Sequence, residues 1–324
     1  MKSPESVAII GAGAMAEAHA ATLEATGVKY FAVCRSEASA ERFRQVTGAN
    51  AVPGGVDAWL SSACAPEAAI VATPVADLAA CAASLIAAGC RRILLEKPGA
   101  VTLGQLSTLA RQAEESGAVV HIAFNRRFYA SVLRARELIA EDGGVSSFNF
   151  EFTEVADRVS QLPYPAAVLA NWELANSMHV IDTAFHLCGI PRHVHGVVSG
   201  ALAWHPRCAR FAGHGETENG ALFTYSADWD APGRWSIEIN TRLRRLILKP
   251  METLQVQHRG SFAISSVPLD DMFDTKYKPG LYRQVSAWLG GMGAEWLLDI
   301  GGHERSMTLV WRQILGEDKA STHE

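Results

Sequence analysis

A lysine between a glutamate and a proline, Glu96-Lys97-Pro98, closes the short apolar run Ile93-Leu94-Leu95. With Gly89 before it and Gly99 after it, that run has the pattern of a strand buried on both faces of a parallel sheet. The carboxyl end of such a strand is where open α/β sheets bind ligands. A lysine desolvated there has a lowered pKa and can move a proton near neutral pH. Pro98 confines Lys97 to extended backbone, which aims its side chain in one direction. The plainer alternative is a solvated lysine paired with Glu96. A second set of proton-handling groups lies on the expected helix Asn176 to Gly189. There His179, Asp182 and His186 fall at i, i+3 and i+7 and share a face, with Met178, Ile181 and Phe185 on an apolar stripe beside them. Asn176 or Ser177 can cap its start, and Gly189 suits its end. The plainer alternative is a core helix with its polar groups hydrogen-bonded in place.

The elements that would position Lys97 begin at the chain start. Ser6 to Ile10 reads as a buried strand, followed at once by Gly11-Ala12-Gly13-Ala14-Met15-Ala16 and a helical segment, Glu17 to Thr26. This is a GxGxxA fingerprint in the context that gives it meaning, between a strand and a helix. Gly11 allows the turn, Gly13 lets a pyrophosphate approach, and Ala16 permits close packing. The helix start at Ala14 and Met15 offers donors and dipole to phosphates. The second strand, Tyr30 to Cys34, ends in Arg35-Ser36 where NAD-binding domains place a carboxylate. An arginine and a hydroxyl suit a 2′-phosphate, so NADP(H) is the expected cofactor, with NAD(H) possible because Glu37 is near. Thr73-Pro74 ends the strand Ala68 to Ala72 and would line the nicotinamide side. Helices 76–88 and 103–116 and the strand Val119 to Phe124 complete a doubly wound series.

The rest reads differently. After an expected helix, Tyr129 to Glu141, Phe148, Phe150 and Phe152 alternate with polar residues as a half-buried strand. Further strands are expected at 194–203, 221–229, 234–240, 245–248 and 253–257. Strands without intervening helices mean an antiparallel sheet, and a broad sheet with one open face suggests a homodimer or homotetramer built through it. The expected fold is therefore α/β, with a Rossmann domain at 1–124 and an α+β domain bearing a large, open, mostly antiparallel sheet at 125–324. His303 to Leu315 is expected to be a packing helix.

The 324 residues carry a net charge of −5 and no Lys/Arg run, which argues against a nucleic-acid surface. No apolar stretch reaches membrane-spanning length. Met1 to Ser6 is polar, so no signal peptide is expected, and six scattered cysteines without a CxxC pair fit reduced thiols in a cytoplasmic protein.

The glycine fingerprint, Thr73-Pro74, Glu96-Lys97-Pro98 and Asn125-Arg126-Arg127-Phe128 occur in the order and spacing of the glucose-fructose oxidoreductase / inositol 2-dehydrogenase / MocA family. The chain resembles that family along essentially its whole length, most specifically at Glu96-Lys97-Pro98. The resemblance implies an NAD(P)-dependent sugar or polyol oxidoreductase, with Lys97 between nicotinamide and substrate and often a cis Lys-Pro bond. It also implies that His179 joins Lys97 in proton transfer, through a motif resembling Asp-x-x-x-His-x-x-Asp. His179 and Asp182 match its last two places, but Ala175 stands at the first. That departure, with Arg35-Ser36, favours NADPH-dependent reduction of a ketosugar or nucleotide ketosugar, or the reverse oxidation of a secondary sugar alcohol. A redox-neutral glycoside hydrolase with retained cofactor and a non-catalytic NADP(H) sensor are the alternatives. Asn125, Arg126, Trp172, Asn176 and Asp182 are the expected substrate contacts, and Arg127 is expected to pair structurally. Tyr277 to Arg283 also carries candidate pocket residues. No metal is expected: neither His179/Asp182/His186 nor His193/His195 has a third ligand at a recognised spacing.

Overall fold

The computed structural model of the protein describes residues 3–308 and 312–315. Within them the chain forms two compact units, one comprising residues up to 125 together with 273–304, the other comprising 126–272 and the residues after 304.

The first unit holds six parallel strands: β1 (Ser6–Ile10), β2 (Lys29–Val33), β3 (Ala51–Val52), β4 (Ala68–Val71), β5 (Arg92–Leu95) and β6 (Val119–Ile122). They lie in the order β6-β5-β4-β1-β2-β3, and the short strand Leu298–Asp299 adds antiparallel to β6. β4 and β5 are wholly buried, which is why their sequences are near-continuous apolar runs. Helix Leu103–Ser116 forms at its expected position, with Thr102 accepting from the Gln105 amide at its start.

The simple division at 124/125 does not hold for the late chain. Leu281, Val285, Trp288 and Leu289 sit in the same buried cluster as Val7, Leu23 and Phe43. Asn125 Nδ2 donates to Pro279 O at 2.8 Å, and the buried Arg92 guanidinium donates to Trp288 O. The segment returns because helix Leu281–Trp288 carries an apolar face, and the first unit's sheet leaves a helix row to be covered. Of the expected helix 303–315, Ile300–Ser306 and Arg312–Ile314 are helical, and residues 309–311 lie outside the described residues.

The second unit holds eight strands: β7 (Ser147–Glu151), β8 (Pro191–Ser199), β9 (Arg210–Thr217), β10 (Leu222–Asp228), β11 (Ser236–Asn240), β12 (Arg244–Leu248), β13 (Gln255–His258) and β14 (Ile264–Ser266). Their order is β14-β13-β12-β11-β7-β10-β9-β8; β7 pairs with β10 in parallel, and the other pairings are antiparallel. Phe148 and Phe150 face Phe185 of helix Met178–Cys188 at 6.0 and 5.6 Å between rings, so the alternation along β7 is a core stripe. Val197 and Leu222 are exposed on the same sheet.

β9 was not expected, because Gly213 and Gly215 weaken its strand pattern. The structure supplies their role: a Cβ on either would stand 2.4 Å from the ring of Tyr225 or Phe223. Aromatic rings of β10 lie over the glycines and fill the space a side chain would take. Among the described residues no helix is long and apolar enough to cross a membrane.

Candidate active site

Each unit presents a polar site built around the expected residues. In the first, the turn after β1 separates its two glycines by function. Gly11 has φ +123° and donates its amide to Val33 O at 2.9 Å; a Cβ there would lie 2.4 Å from Ala72 O. Only glycine fits between the ends of β1 and β4. Gly13 has φ −84° and ψ 179°, which any residue adopts, and a Cβ there would meet nothing within 4 Å. The packing of the protein itself therefore does not demand glycine at 13. Helix Ala14–Thr26 starts there with no side-chain cap, and Gly13 and Ala14 are exposed beside the half-buried Met15. Open first-turn amides over empty space fit a pyrophosphate. Ala16 is fully buried, as close helix–sheet packing requires.

Arg35 is exposed at the end of β2. Ser36 caps helix Glu37–Thr47, accepting from the Ser39 amide at 3.3 Å in a reciprocal capping box. Its hydroxyl thus already has a structural partner. A second arginine, which the sequence reading missed, reaches the same turn: Arg42 pairs with Glu17 and donates to Ala12 O at 3.4 Å. Its signal was its place on the helix that Ser36 starts. Thr73 and Pro74 follow β4, half-buried and exposed respectively, beside Gly11.

Glu96 is buried, and its Oε1 accepts from Nε2 of the fully buried His19 at 2.9 Å. His19 was also missed, although it stands one turn beyond Ala16 and must face the sheet with it. Lys97 is half-buried at the carboxyl end of β5, and the Lys97–Pro98 peptide is cis. The Gly99 amide donates to Glu96 O and His303 Nε2 to Pro98 O, each at 3.0 Å. The backbone on both sides of Lys97 is thereby fixed.

In the second unit a single π-helical turn, Glu173–Ser177, precedes helix Met178–Cys188, which starts two residues later than expected. Such turns recur at functional sites because they re-aim the following side chains. This one is anchored from below: fully buried Glu173 accepts from His205 Nε2 at 2.8 Å and from Arg207 at 2.5 Å. Ser177 stands at the N-cap position of the helix but makes no side-chain cap. Ser177 Oγ donates to Glu154 Oε1 at 2.7 Å, and Asn176 Nδ2 donates to the two Glu154 oxygens at 3.1 and 3.2 Å.

Glu154, three residues past β7, is the functional candidate that the sequence reading did not find. Burial pushes its carboxyl above the usual range, while donors on Ser177, Trp172, Asn176 and Trp235 pull it back. It lines a pocket of about 220 Å³ with Arg126, Thr153, Val155, Gly233, Arg234, Trp235, Met251 and Glu252. Gly233 makes the pocket wall possible, since a Cβ there would come within 2.5 Å of Glu151 Oε1 and 2.6 Å of Thr153. Arg126 lies 4.8 Å above the Trp235 ring, and the buried His179 ring is 6.3 Å from the same indole. Trp172 is buried against Tyr164, at 5.6 Å.

The other expected contacts have structural partners. Asp182 takes both its oxygens to Arg127, at 2.6 and 2.8 Å, which ties helix Met178–Cys188 to the segment after Arg126. Asn125 holds Pro279. Tyr277 and Tyr282 stack at 5.2 Å, and Tyr282 and Phe273 at 4.0 Å. Burial, reinforced by Arg127 and Arg136, holds the His186 imidazole well below its ordinary value. Among the described residues no group of three His, Cys, Asp or Glu is arranged to hold a metal.

Residues 6–124 match the family model described as "Oxidoreductase family, NAD-binding Rossmann fold", GFO_IDH_MocA. That segment is similar to the family's model over little more than a third of the chain. It also brings a curated relative: scyllo-inositol 2-dehydrogenase (NADP(+)) IolW of Bacillus subtilis (strain 168) is 30% identical over 114 residues. The match spans 32% of this chain and 30% of the relative. Solved structures share the fold over nearly the whole chain. UDP-N-acetylglucosamine 3-dehydrogenase GnnA from Acidithiobacillus ferrooxidans superposes with a TM-score of 0.74 at 19% identity, covering 96% of each chain. Levoglucosan dehydrogenase in complex with NADH and levoglucosan gives 0.76 at 19% identity, covering 97% of each. The fold of these structures is therefore shared over nearly the whole chain, which has one mostly parallel sheet and a second, mostly antiparallel one.

Proposed function

We propose that this chain is an NAD(P)-dependent oxidoreductase acting on the CH–OH or C=O group of a sugar or polyol. Its favoured direction is NADPH-dependent reduction of a ketosugar or nucleotide ketosugar, with oxidation of a secondary sugar alcohol as the reverse. The observation that carries the reading is the Gly13 turn, where open amides face space that no side chain of the protein fills, on the same sheet as Lys97. The names of the relatives reported above support it: a scyllo-inositol 2-dehydrogenase (NADP(+)), a UDP-N-acetylglucosamine 3-dehydrogenase and a levoglucosan dehydrogenase.

The bound nicotinamide supplies the hydride chemistry. Gly11, Gly13, Ala14 and Met15 form the phosphate turn, and Thr73 and Pro74 line its neighbouring edge. Arg35, with Arg42 nearby, carries the charge for a 2′-phosphate. Glu96, held by His19, fixes the approach to Lys97. Lys97 gives a proton to the carbonyl oxygen, or steadies the alkoxide as charge develops. His179 orients the substrate hydroxyls or shares the proton. Asn176, Trp172 and Arg126 serve substrate binding, and Asp182 supports Arg127. The exposed sheet face of the second unit is proposed to join copies into a homodimer or homotetramer, and the six free thiols suit the cytoplasm.

Fluorescence titration of the purified protein with NADPH and NADH, alongside a sugar-dependent redox assay, tests the reading. Tight nucleotide binding and a polyol-dependent change in reduced nicotinamide are expected. Absence of binding to either nucleotide would refute it. A cofactor that cannot be exchanged, with no net redox change, would move the glycoside hydrolase alternative ahead.

A further inference from the structure

We infer that a cavity between two turns of the second unit, one joining β11 to β12 and the other joining β13 to β14, is an anion site that takes a phosphate group. The group is carried on a small molecule or on a lipid head. The inference stands apart from the oxidoreductase reading.

The sequence puts an arginine in each turn, Arg242 in the first and Arg259 in the second. β12 and β13 are neighbours, with Arg244 paired to His258, so the two turns leave the same end of the sheet side by side. Both are held by their own bonds. The Thr241 amide donates to Arg244 O at 2.9 Å, and Thr241 Oγ1 accepts from the Arg244 amide at 3.0 Å. The Ser261 amide donates to His258 O at 3.0 Å, around Gly260 at φ +82°, a left-handed position that suits glycine. The Arg259 amide donates to Leu243 O at 2.8 Å and ties one turn to the other. Arg242 and Arg259 therefore stand on adjoining backbone.

The charges around the cavity do not cancel. It encloses about 510 Å³, and Arg242, Arg244, Arg245, His258 and Arg259 line it with no carboxylate on its wall. Arg244 meets Asp142 at 2.7 Å and Glu141 at 3.3 Å, and Arg245 meets Glu238. Structural pairing accounts for those two. Arg242 and Arg259 are exposed, and among the described residues neither has an ion pair or a side-chain hydrogen bond. One solvated arginine needs no ligand. Two on adjoining turns repel each other, and they do so in a chain whose net charge is −5. A phosphate monoester dianion balances that pair, and guanidinium forks match its oxygens. Ser261 Oγ accepts from the Ala263 amide at 3.1 Å and keeps its own hydrogen to donate. The volume lies within the roughly 300–1,000 Å³ of small-molecule sites.

The place is separate from the pocket of Glu154. Asn240 pairs with Ser147 at the start of β7, whereas Glu154 follows the other end of that strand. Leu243 and Phe262 stand on the same turns as the arginines and are exposed, Phe262 by 99%. Apolar side chains beside basic ones also suit a membrane surface, which makes a lipid head the second source of the same group.

Isothermal titration calorimetry of the full chain with inorganic pyrophosphate tests the site, with NADP+ at saturation to occupy the proposed nucleotide site. Pyrophosphate should bind, and the double variant Arg242→Ala/Arg259→Ala should weaken that binding by about tenfold or more, as expected for lost hydrogen bonds to a charged group. NADP+ affinity should not change. Both side chains are exposed and unpaired, so the variant should fold as the wild type does. In a second arm, the chain is sedimented with vesicles of phosphatidylcholine, alone or mixed with phosphatidylglycerol. Sedimentation with the mixed vesicles alone, lost in the double variant, supports the site and assigns its phosphate to a lipid. Pyrophosphate binding lost in the double variant, without sedimentation, supports it and assigns the phosphate to a small molecule. The inference is overturned if the wild type binds neither probe, or if the double variant binds as the wild type does in both arms.

Discussion

The two fingerprint glycines should fail in opposite ways when each becomes alanine. At Gly11 a side chain is excluded by the protein itself. A residue with a Cβ at φ +123° costs roughly 1–3 kcal/mol of backbone strain. Its Cβ would also stand 2.4 Å from Ala72 O, and relieving such overpacking costs about 1–3 kcal/mol more. Gly11→Ala should thus destabilise the fold by about 2–6 kcal/mol, a large share of the roughly 5–15 kcal/mol that holds a domain folded. Gly13→Ala meets neither obstacle. Alanine reduces unfolded-state freedom, worth about 0.4–1 kcal/mol, and is a poorer N-cap than glycine by a similar amount. Its stability should match wild type within about 1 kcal/mol. Its methyl would nevertheless occupy the surface a pyrophosphate approaches, so NADPH affinity should fall by about tenfold or more, or about 1.4 kcal/mol. Urea unfolding followed by circular dichroism, with NADPH fluorescence titration, measures both quantities. Wild-type NADPH affinity in Gly13→Ala would show that no phosphate meets that turn and would refute the assignment. Wild-type stability in Gly11→Ala would refute the steric argument.

Other outcomes rest on the same geometry. Lys97→Ala should leave nucleotide binding intact and lower turnover by at least about a hundredfold in steady-state assays; wild-type turnover would remove its role as proton donor. Arg35→Asp should reverse a preference for NADPH over NADH in paired titrations, and an unchanged ratio would shift the 2′-phosphate contact to Arg42. Arg127→Ala leaves Asp182 largely buried and unpaired, so urea unfolding should show a loss of about 2–4 kcal/mol, somewhat under the value for a fully buried pair. A loss below about 0.5 kcal/mol would mean the pair contributes little. For Glu154 burial raises the folded-state pKa, so its contribution to stability is present below the unfolded value and is lost as pH rises through the raised one. Urea unfolding over a pH series reads this dependence, which should flatten in Glu154→Gln.

Much of the first unit was legible because its signals are local. A strand, two glycines and a helix start within a dozen residues, and a lysine-proline pair ends a buried run; backbone sterics and burial act on neighbours in sequence. The alternation of Phe148, Phe150 and Phe152 likewise announced a strand with one core face. Contacts between residues distant in sequence were not legible. His19 meets Glu96 across 77 positions, and Leu281 to Leu289 return to the first core although antiparallel strands precede them. β9 hid because its glycines are filled by rings that another strand supplies.

The site divides along the same line. Residue type and spacing were enough to place Gly11 and Gly13 in the turn after β1, Lys97 just past the end of β5 and His179 on a helix. It took the folded chain to bury Glu154, which lies just past a strand more than twenty residues before that helix, against Asn176 and Ser177. A glutamate after a strand looks solvated until the fold removes water from it, and desolvation is a property of everything packed around the group rather than of its neighbours in sequence.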